Sequence, residues 1–234
     1  MPKDKSQATP HDIRHCFHII PTVRILLAVL SGVEYLHRKQ IIHRDLKPGN
    51  IFLDILEDSE PETHGYTNVK DCRDCDCDKA ISPVRICPCI GDFGLIADLK
   101  ADLQTSESSP AISIAGSGSD QFPLSTATSE QMIGTTLYVP PSNPIVKSSV
   151  CAKLDVYSLG IITFEMIYRF KTAAERGMVL MRLREHGVFP QGYEDHPMAE
   201  GIRNMLHKNT EQRWGCQKVR DWLVDLEQRY ALIV

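Results

Sequence analysis

The sequence is short of several features that would assign a function at once. It has no excess of positive charge: 26 Lys and Arg residues stand against 30 Asp and Glu residues, and the formal net charge is −4. This balance does not favour nucleic acid or an anionic membrane surface as a partner. The most apolar stretch, residues 19–36, is interrupted by Pro21, Arg24 and Glu34, and no secretory leader pattern or internal repeat is evident. We therefore expect a soluble protein without a membrane span.

The eight cysteines are not distributed as a disulfide framework would require. Disulfide-rich domains are small and secreted, and their cysteines are spread through the chain. Here five of them crowd into one short segment, as Cys72, Cys75, Cys77, Cys87 and Cys89. This distribution favours a reducing, cytoplasmic location.

Two facing pairs from this cysteine cluster could give zinc four sulfur ligands in a tetrahedron. The pattern C-x2-C-x-C-x9-C-x-C argues against such a site, because one-residue spacing is poor for the common zinc-binding motifs. Cys87 and Cys89 also alternate along a predicted strand, so they share one side of it. We therefore favour reduced thiols in a loop insertion over zinc at these positions.

Hydrophobic periodicity predicts a protein that is mainly α with a few short β-strands. Apolar residues recur at helical spacing over 21–38, and short apolar runs at 51–53 and 86–90 are typical of strands. The segment 154–170 is apolar on nearly all sides, which predicts a helix buried in the core. Three further helices are predicted over 173–185, 198–208 and 216–232.

Three regions lack such periodicity. Residues 1–10 are polar, and we expect a disordered start. Residues 56–84 are acidic and cysteine-rich, which predicts a loop insertion. Residues 100–131 hold eleven Ser or Thr residues, which predicts a mobile loop.

Three sequence motifs occur in order along the chain. The segment HRDLKPGN at 43–50 lies between the first helix and a strand, DFG at 92–94 follows the second strand, and GTTLYVPP at 134–141 closes the Ser/Thr-rich loop. These motifs resemble the catalytic loop, the metal-binding motif and the end of the activation segment of protein kinases. The resemblance implies the C-terminal lobe of a Ser/Thr protein kinase over 11–234, with an activation segment over 92–142.

The chemistry of phosphoryl transfer explains why these residue types are needed. The reaction depends on in-line positioning and on neutralising the charge of the phosphate oxygens. The resemblance implies that Asp45 accepts the proton of the substrate hydroxyl and that Lys47 lies against the transferred phosphate. Asn50 and Asp92 would supply oxygen ligands to Mg²⁺, which bridges the phosphates of ATP. Thr135 is the remaining catalytic candidate. The alternative for Asp45 and Asp92, each taken singly, is an ordinary acidic loop residue that favours a turn.

The residue before Asp45 points to regulation by phosphorylation. Arg44 resembles the arginine of kinases that are activated by modification of the activation segment, because a phosphate there could pair with its side chain. The candidate acceptors are Thr126, Thr128 and Ser129. The alternative for each of them is an unmodified residue of a solvated polar loop.

Two positions bear on the stability of the lobe. Asp155, at the start of the predicted buried helix, resembles the kinase Asp that accepts backbone N–H bonds from the catalytic loop; the alternative is a helix N-cap. Ser142 stands where kinases usually have a Glu that pairs with a buried Arg, and Arg213 matches that Arg. We expect the missing carboxylate to destabilise the fold unless another group takes its place.

The region after the predicted buried helix resembles the kinases that phosphorylate the alpha subunit of translation initiation factor 2 and so damp protein synthesis under stress. The similarity lies in the segment FKTAAER at 170–176 and in the apolar and basic residues up to 190. It implies that this alpha subunit is the protein substrate. It also implies that the substrate docks on the helix that carries Thr172, Glu175 and Arg176.

The sequence departs from the kinase pattern upstream of Asp45. It has no Gly-rich loop, no strand lysine of the Val-Ala-Ile-Lys type and no helix with a partner Glu there. We therefore expect the ATP-clamping N-terminal lobe to be missing, ATP to bind weakly and the isolated chain to be inactive; a homodimer would form through the missing lobe. The alternative is a binding module, a pseudokinase that docks a kinase substrate without catalysis.

Overall fold

A computed structural model describes residues 19–56, 67–68, 85–98, 136–141 and 148–231 of the chain. The prediction of a mainly α protein with a few short strands is confirmed for these residues. In chain order the elements are α1 (Ile19–Arg38), β1 (Ile41–Ile42), a 3₁₀ helix (Pro48–Asn50), β2 (Ile51–Leu56), β3 (Thr67–Asn68), β4 (Arg85–Ile90), β5 (Ala97–Asp98), α2 (Ser148–Ile167), α3 (Ala173–His186), α4 (Ala199–Met205) and α5 (Cys216–Ala231).

Helix α2 lies at the centre of the hydrophobic core, as its uniformly apolar sequence predicts. Tyr157, Ile161 and Phe164 are completely buried, and α1 and α4 both pack against this helix. Gly160 allows the close approach of α4, because a Cβ there would lie only 2.9 Å from Met205 Cβ. The helix begins at Ser148, six residues before the predicted start.

Helices α1 and α5 pack along each other. Two ion pairs join their polar edges: Arg24 Nε donates to Glu227 at 2.8 Å, and Arg220 Nη2 donates to Glu34 at 2.6 Å. The buried face of α1 includes Val23, Leu26, Leu30 and Val33. The helix therefore has the amphipathic form of an element that covers a core.

By length and composition alone, α1 is apolar enough to cross a membrane. Half of its most apolar window is nevertheless buried inside the fold. Arg24 and Glu34, which interrupt the apolar stretch, both have ion-pair partners on α5. This packing is that of the core helix of a folded domain.

The three-stranded sheet has the order β2-β4-β3 and is antiparallel throughout. Strand β3 lies inside the predicted insertion 56–84. The short strand had no periodic signal, and its pairing with Arg85 and Ile86 of β4 is a tertiary contact. Pro88, which pairs with Leu53 of β2, has no N–H to contribute to the ladder.

A second, two-stranded sheet joins the beginning of the first motif to the end of the second. Ile41 of β1 pairs with Asp98 of β5, and Ile42 pairs with Ala97. The pairing fixes both ends of the candidate site: the segment that starts at His43 and the segment that ends after Gly94. Neither strand was predicted, because two residues are too few to give a period.

Candidate active site

A single buried carboxylate anchors the first motif to the core. Asp155 is completely buried in α2, where its Oδ2 accepts the backbone N–H of His43 at 3.0 Å and its Oδ1 accepts that of Arg44 at 2.9 Å. The ring Nε2 of His37, in the last turn of α1, donates to Oδ2 at 2.8 Å. The structure thus assigns Asp155 the loop-bracing role. The N-cap alternative is wrong, because α2 begins at Ser148, seven residues before Asp155.

Two residues of the site have a left-handed backbone that glycine normally occupies. Arg44 has a φ of 68°, and Asp92 has a φ of 58°. This conformation costs a residue with a Cβ about 1 kcal/mol or more. Because Asp155 accepts the N–H groups of both His43 and Arg44, it offsets this cost and holds the loop in one conformation.

His43 connects the two motifs. Its Nδ1 accepts the backbone N–H of Asp45 at 3.3 Å, so its Nε2 carries the hydrogen that is donated to Gly91 O at 3.0 Å. The ring also lies against Phe93, with 5.5 Å between the ring centroids. A completely buried imidazole therefore sets the spacing between the Asp45 loop and the Asp92 segment.

Asp45, Lys47 and Asn50, three predicted site residues, form one compact cluster. Lys47 Nζ donates to Asp45 Oδ2 at 2.7 Å, and Asn50 Nδ2 donates to the same oxygen at 3.1 Å. Asn50 Nδ2 also donates to the backbone carbonyl of Asp45 at 2.8 Å. Since both amide hydrogens are used within the loop, the Asn50 Oδ1 is left as an acceptor or metal ligand. The Asp45 side chain is almost fully buried and is held through one of its two oxygens.

Asn50 and Asp92 lie at the same end of the β2–β4 pair. The N–H of Gly91 donates to Asn50 O at 2.9 Å, directly beside the pairing of Ile51 with Ile90. The carboxylate of Asp92 is exposed, and its Oδ1 accepts only a long bond from the Gly94 N–H, at 3.4 Å, within the described residues. An amide oxygen and an exposed carboxylate are the hard ligands that Mg²⁺ prefers, so the residues present fit this ion.

Arg213 is buried without a carboxylate among the described residues. Its Nε donates to His207 O at 3.0 Å and its Nη1 to Lys153 O at 2.9 Å. Its guanidinium carbon lies 4.9 Å from the centroid of the Tyr157 ring. Burial lowers the pKa of Arg213 to about 10. Two backbone carbonyls and the face of the Tyr157 ring thus take the place of the expected carboxylate around this cation.

The residues predicted to dock a substrate mainly make contacts inside the protein. Thr172 is the N-cap of α3 and accepts the N–H of Glu175 at 3.0 Å, while the Glu175 carboxylate accepts the N–H of Lys171 at 2.6 Å. This arrangement resembles a capping box, but the Glu175 carboxylate bonds to the residue before the N-cap. The hydrogen bond from Lys171 lowers the pKa of Glu175, which is also held by the Tyr168 hydroxyl.

Arg176 belongs to a second internal cluster that sequence reasoning missed. Its Nε donates to Glu165 at 2.5 Å and its Nη2 to the Tyr138 hydroxyl at 2.5 Å. The Tyr138 hydroxyl in turn donates to Glu165, and burial together with that carboxylate raises the pKa of Tyr138. Arg184 donates to Val139 O at 2.6 Å. Helix α3 is therefore tied to the end of the third motif.

The exposed apolar surface of α3 was not singled out from the sequence either. Met178 is 64% exposed and Met181 is 45% exposed, and both lie on the same side of the helix because they are three residues apart. Val188, just beyond the helix, is also exposed. The available signal was the pair of large apolar residues on the side of α3 opposite the buried Leu180 and Leu183.

Several predicted residues lie outside the described part of the chain. They are the catalytic candidate Thr135, the phosphorylation candidates Thr126, Thr128 and Ser129, Ser142, and three of the clustered cysteines, Cys72, Cys75 and Cys77. Cys87 and Cys89 are described, as free thiols on β4. The described residues contain no group of three or more His, Cys, Asp or Glu side chains arranged to hold a metal ion.

The chain matches the sequence model of the protein kinase domain over residues 11–222. It is 36% identical over 191 residues to the eIF-2-alpha kinase GCN2 of Homo sapiens and 29% identical over 219 residues to the eukaryotic translation initiation factor 2-alpha kinase 1 of Schizosaccharomyces pombe. It is 32% identical over 210 residues to the probable serine/threonine-protein kinase ifkB of Dictyostelium discoideum. These alignments cover 76%, 88% and 81% of this chain but 9%, 28% and 13% of the respective relatives.

The family match spans the three motifs and the core helices that support them. It agrees with the geometry, in which the first motif is braced by the central helix and joined to the second motif through His43. On these grounds, the chain belongs to the protein kinase domain family and is related to the serine/threonine kinases.

Proposed function

We propose that the protein transfers the γ-phosphate of ATP to a Ser or Thr hydroxyl of the translation initiation factor 2 alpha subunit, in the cytoplasm. The observation that carries the catalytic part is the cluster of Asp45, Lys47 and Asn50, in which a buried carboxylate is held by a cation and an amide. The relatives, two of which are named as kinases of this alpha subunit, support the substrate.

Asp45 is the proposed acceptor of the substrate proton. Its Oδ2 is held by Lys47 and Asn50, so its Oδ1 is the oxygen that receives a hydroxyl hydrogen. Positioning of this kind contributes about 10²- to 10⁴-fold to the rate of a proton-coupled step. The ammonium of Lys47 is placed beside this carboxylate and would stabilise charge on the transferred phosphate as the hydroxyl attacks.

Asn50 and Asp92 would hold Mg²⁺ together with ATP. Mg²⁺ held there would neutralise negative charge on the phosphates of ATP. The role of the protein is to fix Asn50 through its two bonds to Asp45 and to leave Asp92 accessible at the surface. We expect the chain on its own to bind ATP weakly, because its sequence has no Gly-rich loop or strand lysine upstream of Asp45.

The catalytic proposal is tested by phosphate transfer from labelled ATP to the alpha subunit. The enzyme for this assay is the chain supplied with the ATP-binding lobe of a related kinase. Asp45→Asn should lower kcat by about 10²- to 10⁴-fold, while Asp225→Asn, which changes an exposed acid on α5, should leave it unchanged. Undiminished transfer by Asp45→Asn would refute the role of Asp45.

The exposed face of α3 is the proposed docking surface for the alpha subunit. Glu175 and Arg176 shape this surface through the cap and the Tyr138 cluster, and Met178 and Met181 provide apolar contact area. Double substitution of Met178→Glu and Met181→Glu should weaken binding of the alpha subunit by at least about tenfold. The matched control is Val224→Glu, an exposed apolar position on α5. Equal binding by both variants would rule out docking on α3.

A binding module without catalysis is the second candidate, and the exposed apolar face of α3 favours it equally. The chain alone discriminates the two functions. If it binds the alpha subunit and the protein with an ATP-binding lobe transfers no phosphate, the binding module is correct. Phosphate transfer that depends on Asp45 would exclude it.

A further inference from the structure

The two thiols of β4 form a pair on one face of the three-stranded sheet. Cys87 and Cys89 are two residues apart on a strand, so their side chains point to the same side. They are close enough to share a hydrogen bond, and Cys89 Sγ also donates to Cys87 O at 3.7 Å. Cys89 is exposed and Cys87 is half-buried, so a small ion can reach both sulfur atoms from solvent.

A carboxylate lies next to this thiol pair. Asp54 of β2 is directly opposite Cys87 in the antiparallel register and therefore shares its face of the sheet. Burial raises the pKa of Cys87, and the neighbouring Cys89 and Asp54 raise it further. The last two effects are repulsions between negative charges, and a cation bound between the sulfurs would convert them into attractions.

The number of ligands decides which cation fits. Zinc in a structural site takes four protein ligands, whereas β4 supplies two thiols, Cys87 and Cys89. A soft monovalent ion with a full d shell is satisfied by two thiolates, and Cu(I) is such an ion. We propose that Cys87 and Cys89 bind one Cu(I) ion as a bis-thiolate.

The binding reaction balances without an oxidant or a reductant. Two thiols lose two protons to solvent, and two sulfur–copper bonds form while copper stays in the +1 state. The ion would join successive residues of one face of β4. This strand leads directly to Gly91 and Asp92, so the bound ion would stiffen the strand that carries one side of the candidate active site.

The test uses the full chain with Cys16, Cys72, Cys75 and Cys77 all replaced by Ser, so that these four thiols do not compete for the ion. The protein is titrated anaerobically with Cu(I) in the presence of a chromophoric Cu(I) chelator. We expect one equivalent to be withdrawn from the chelator. The control has Cys87→Ser and Cys89→Ser in the same background. Because even outer-shell partners change metal affinity by about 10- to 100-fold, loss of these ligands should weaken binding by at least that factor.

A second measurement does not depend on the double-serine control. In the four-serine background protein, alkylation of Cys87 and Cys89 by iodoacetamide is followed by mass spectrometry with and without one equivalent of Cu(I). Protection of both residues supports the site. Equal copper binding by the background protein and the double-serine control, or unchanged alkylation of both cysteines, would overturn it.

Discussion

Two acidic residues of the candidate site, Asp45 and Asp92, stand in opposite settings. Asp45 is 8% exposed and is held by a cation, an amide and a loop that the central helix braces. Asp92 is exposed and accepts one long hydrogen bond from Gly94 among the described residues. The proposed proton acceptor is thus held in place by the fold itself, while the proposed metal ligand Asp92 has little support from the described residues.

Removing Asp155, which holds the loop that carries Asp45, should have the largest effect on stability. Asp155→Ala leaves the buried N–H groups of His43 and Arg44 without their acceptor and also unpairs His37. Each lost partner costs about 1–3 kcal/mol, so we expect the free energy of unfolding to fall by about 3 kcal/mol or more. Urea unfolding measures this change, and amide exchange over 43–50 should become faster. Asp225→Ala, which removes an exposed acid, is the control, and similar losses in both variants would refute the bracing role.

Substitution of Arg213, which donates to the backbone of α2 near Asp155, should have the second-largest effect on stability. Arg213→Ala removes the donor to Lys153 O, two residues before Asp155, and the donor to His207 O. We expect a loss of about 2 kcal/mol, because two partly buried carbonyls lose a donor, partly offset by relief of the cost of burying a cation. Thermal or urea unfolding measures it. A more stable variant would mean that the buried charge costs more than its contacts contribute.

The reactivity of the Cys216 thiol gives a more local measure of the packing around Asp155, and the expected effect is smaller. Cys216 Sγ lies 3.5 Å from Nδ1 of His37, which holds Asp155. Burial raises the pKa of Cys216 to about 12, so less thiolate is present at pH 8 than in the unfolded chain. Labelling of Cys216 by a thiol reagent should be at least about tenfold slower in the folded protein than in urea. Asp155→Ala should accelerate it. Labelling at the unfolded rate in the native protein would contradict this packing.

Substitution of the exposed Asp92 should have the smallest effect on stability. Asp92→Asn should change the free energy of unfolding by less than about 0.5 kcal/mol, because an exposed acid with one long hydrogen bond contributes little to the fold. The same substitution should abolish the Mg²⁺ dependence of ATP binding in the protein with an ATP-binding lobe. A large loss of stability would mean that Asp92 is part of the folded framework like Asp45.

Much of the site could be predicted because its residues are near one another along the chain. Asp45, Lys47 and Asn50 are within six residues, and the 3₁₀ helix that follows the loop brings their side chains together. The prediction of a buried helix near 154 also succeeded, since a segment that is apolar on all sides has few other places to lie. The position of Asp155 within that helix was misplaced, because the start of α2 has no apolar period.

The sequence by itself determined the composition of the candidate site, the family and the central helix, because these depend on short motifs and on hydrophobic period. Only the tertiary structure decided what holds the site. Asp155 braces a loop more than a hundred residues away, Arg213 finds carbonyls on two separate segments, and Arg176 turns inward to Glu165 and Tyr138. Three of these contacts join residues 38, 60 and 112 positions apart in sequence, and a local pattern cannot specify which distant donor will reach a given acceptor once the core has closed.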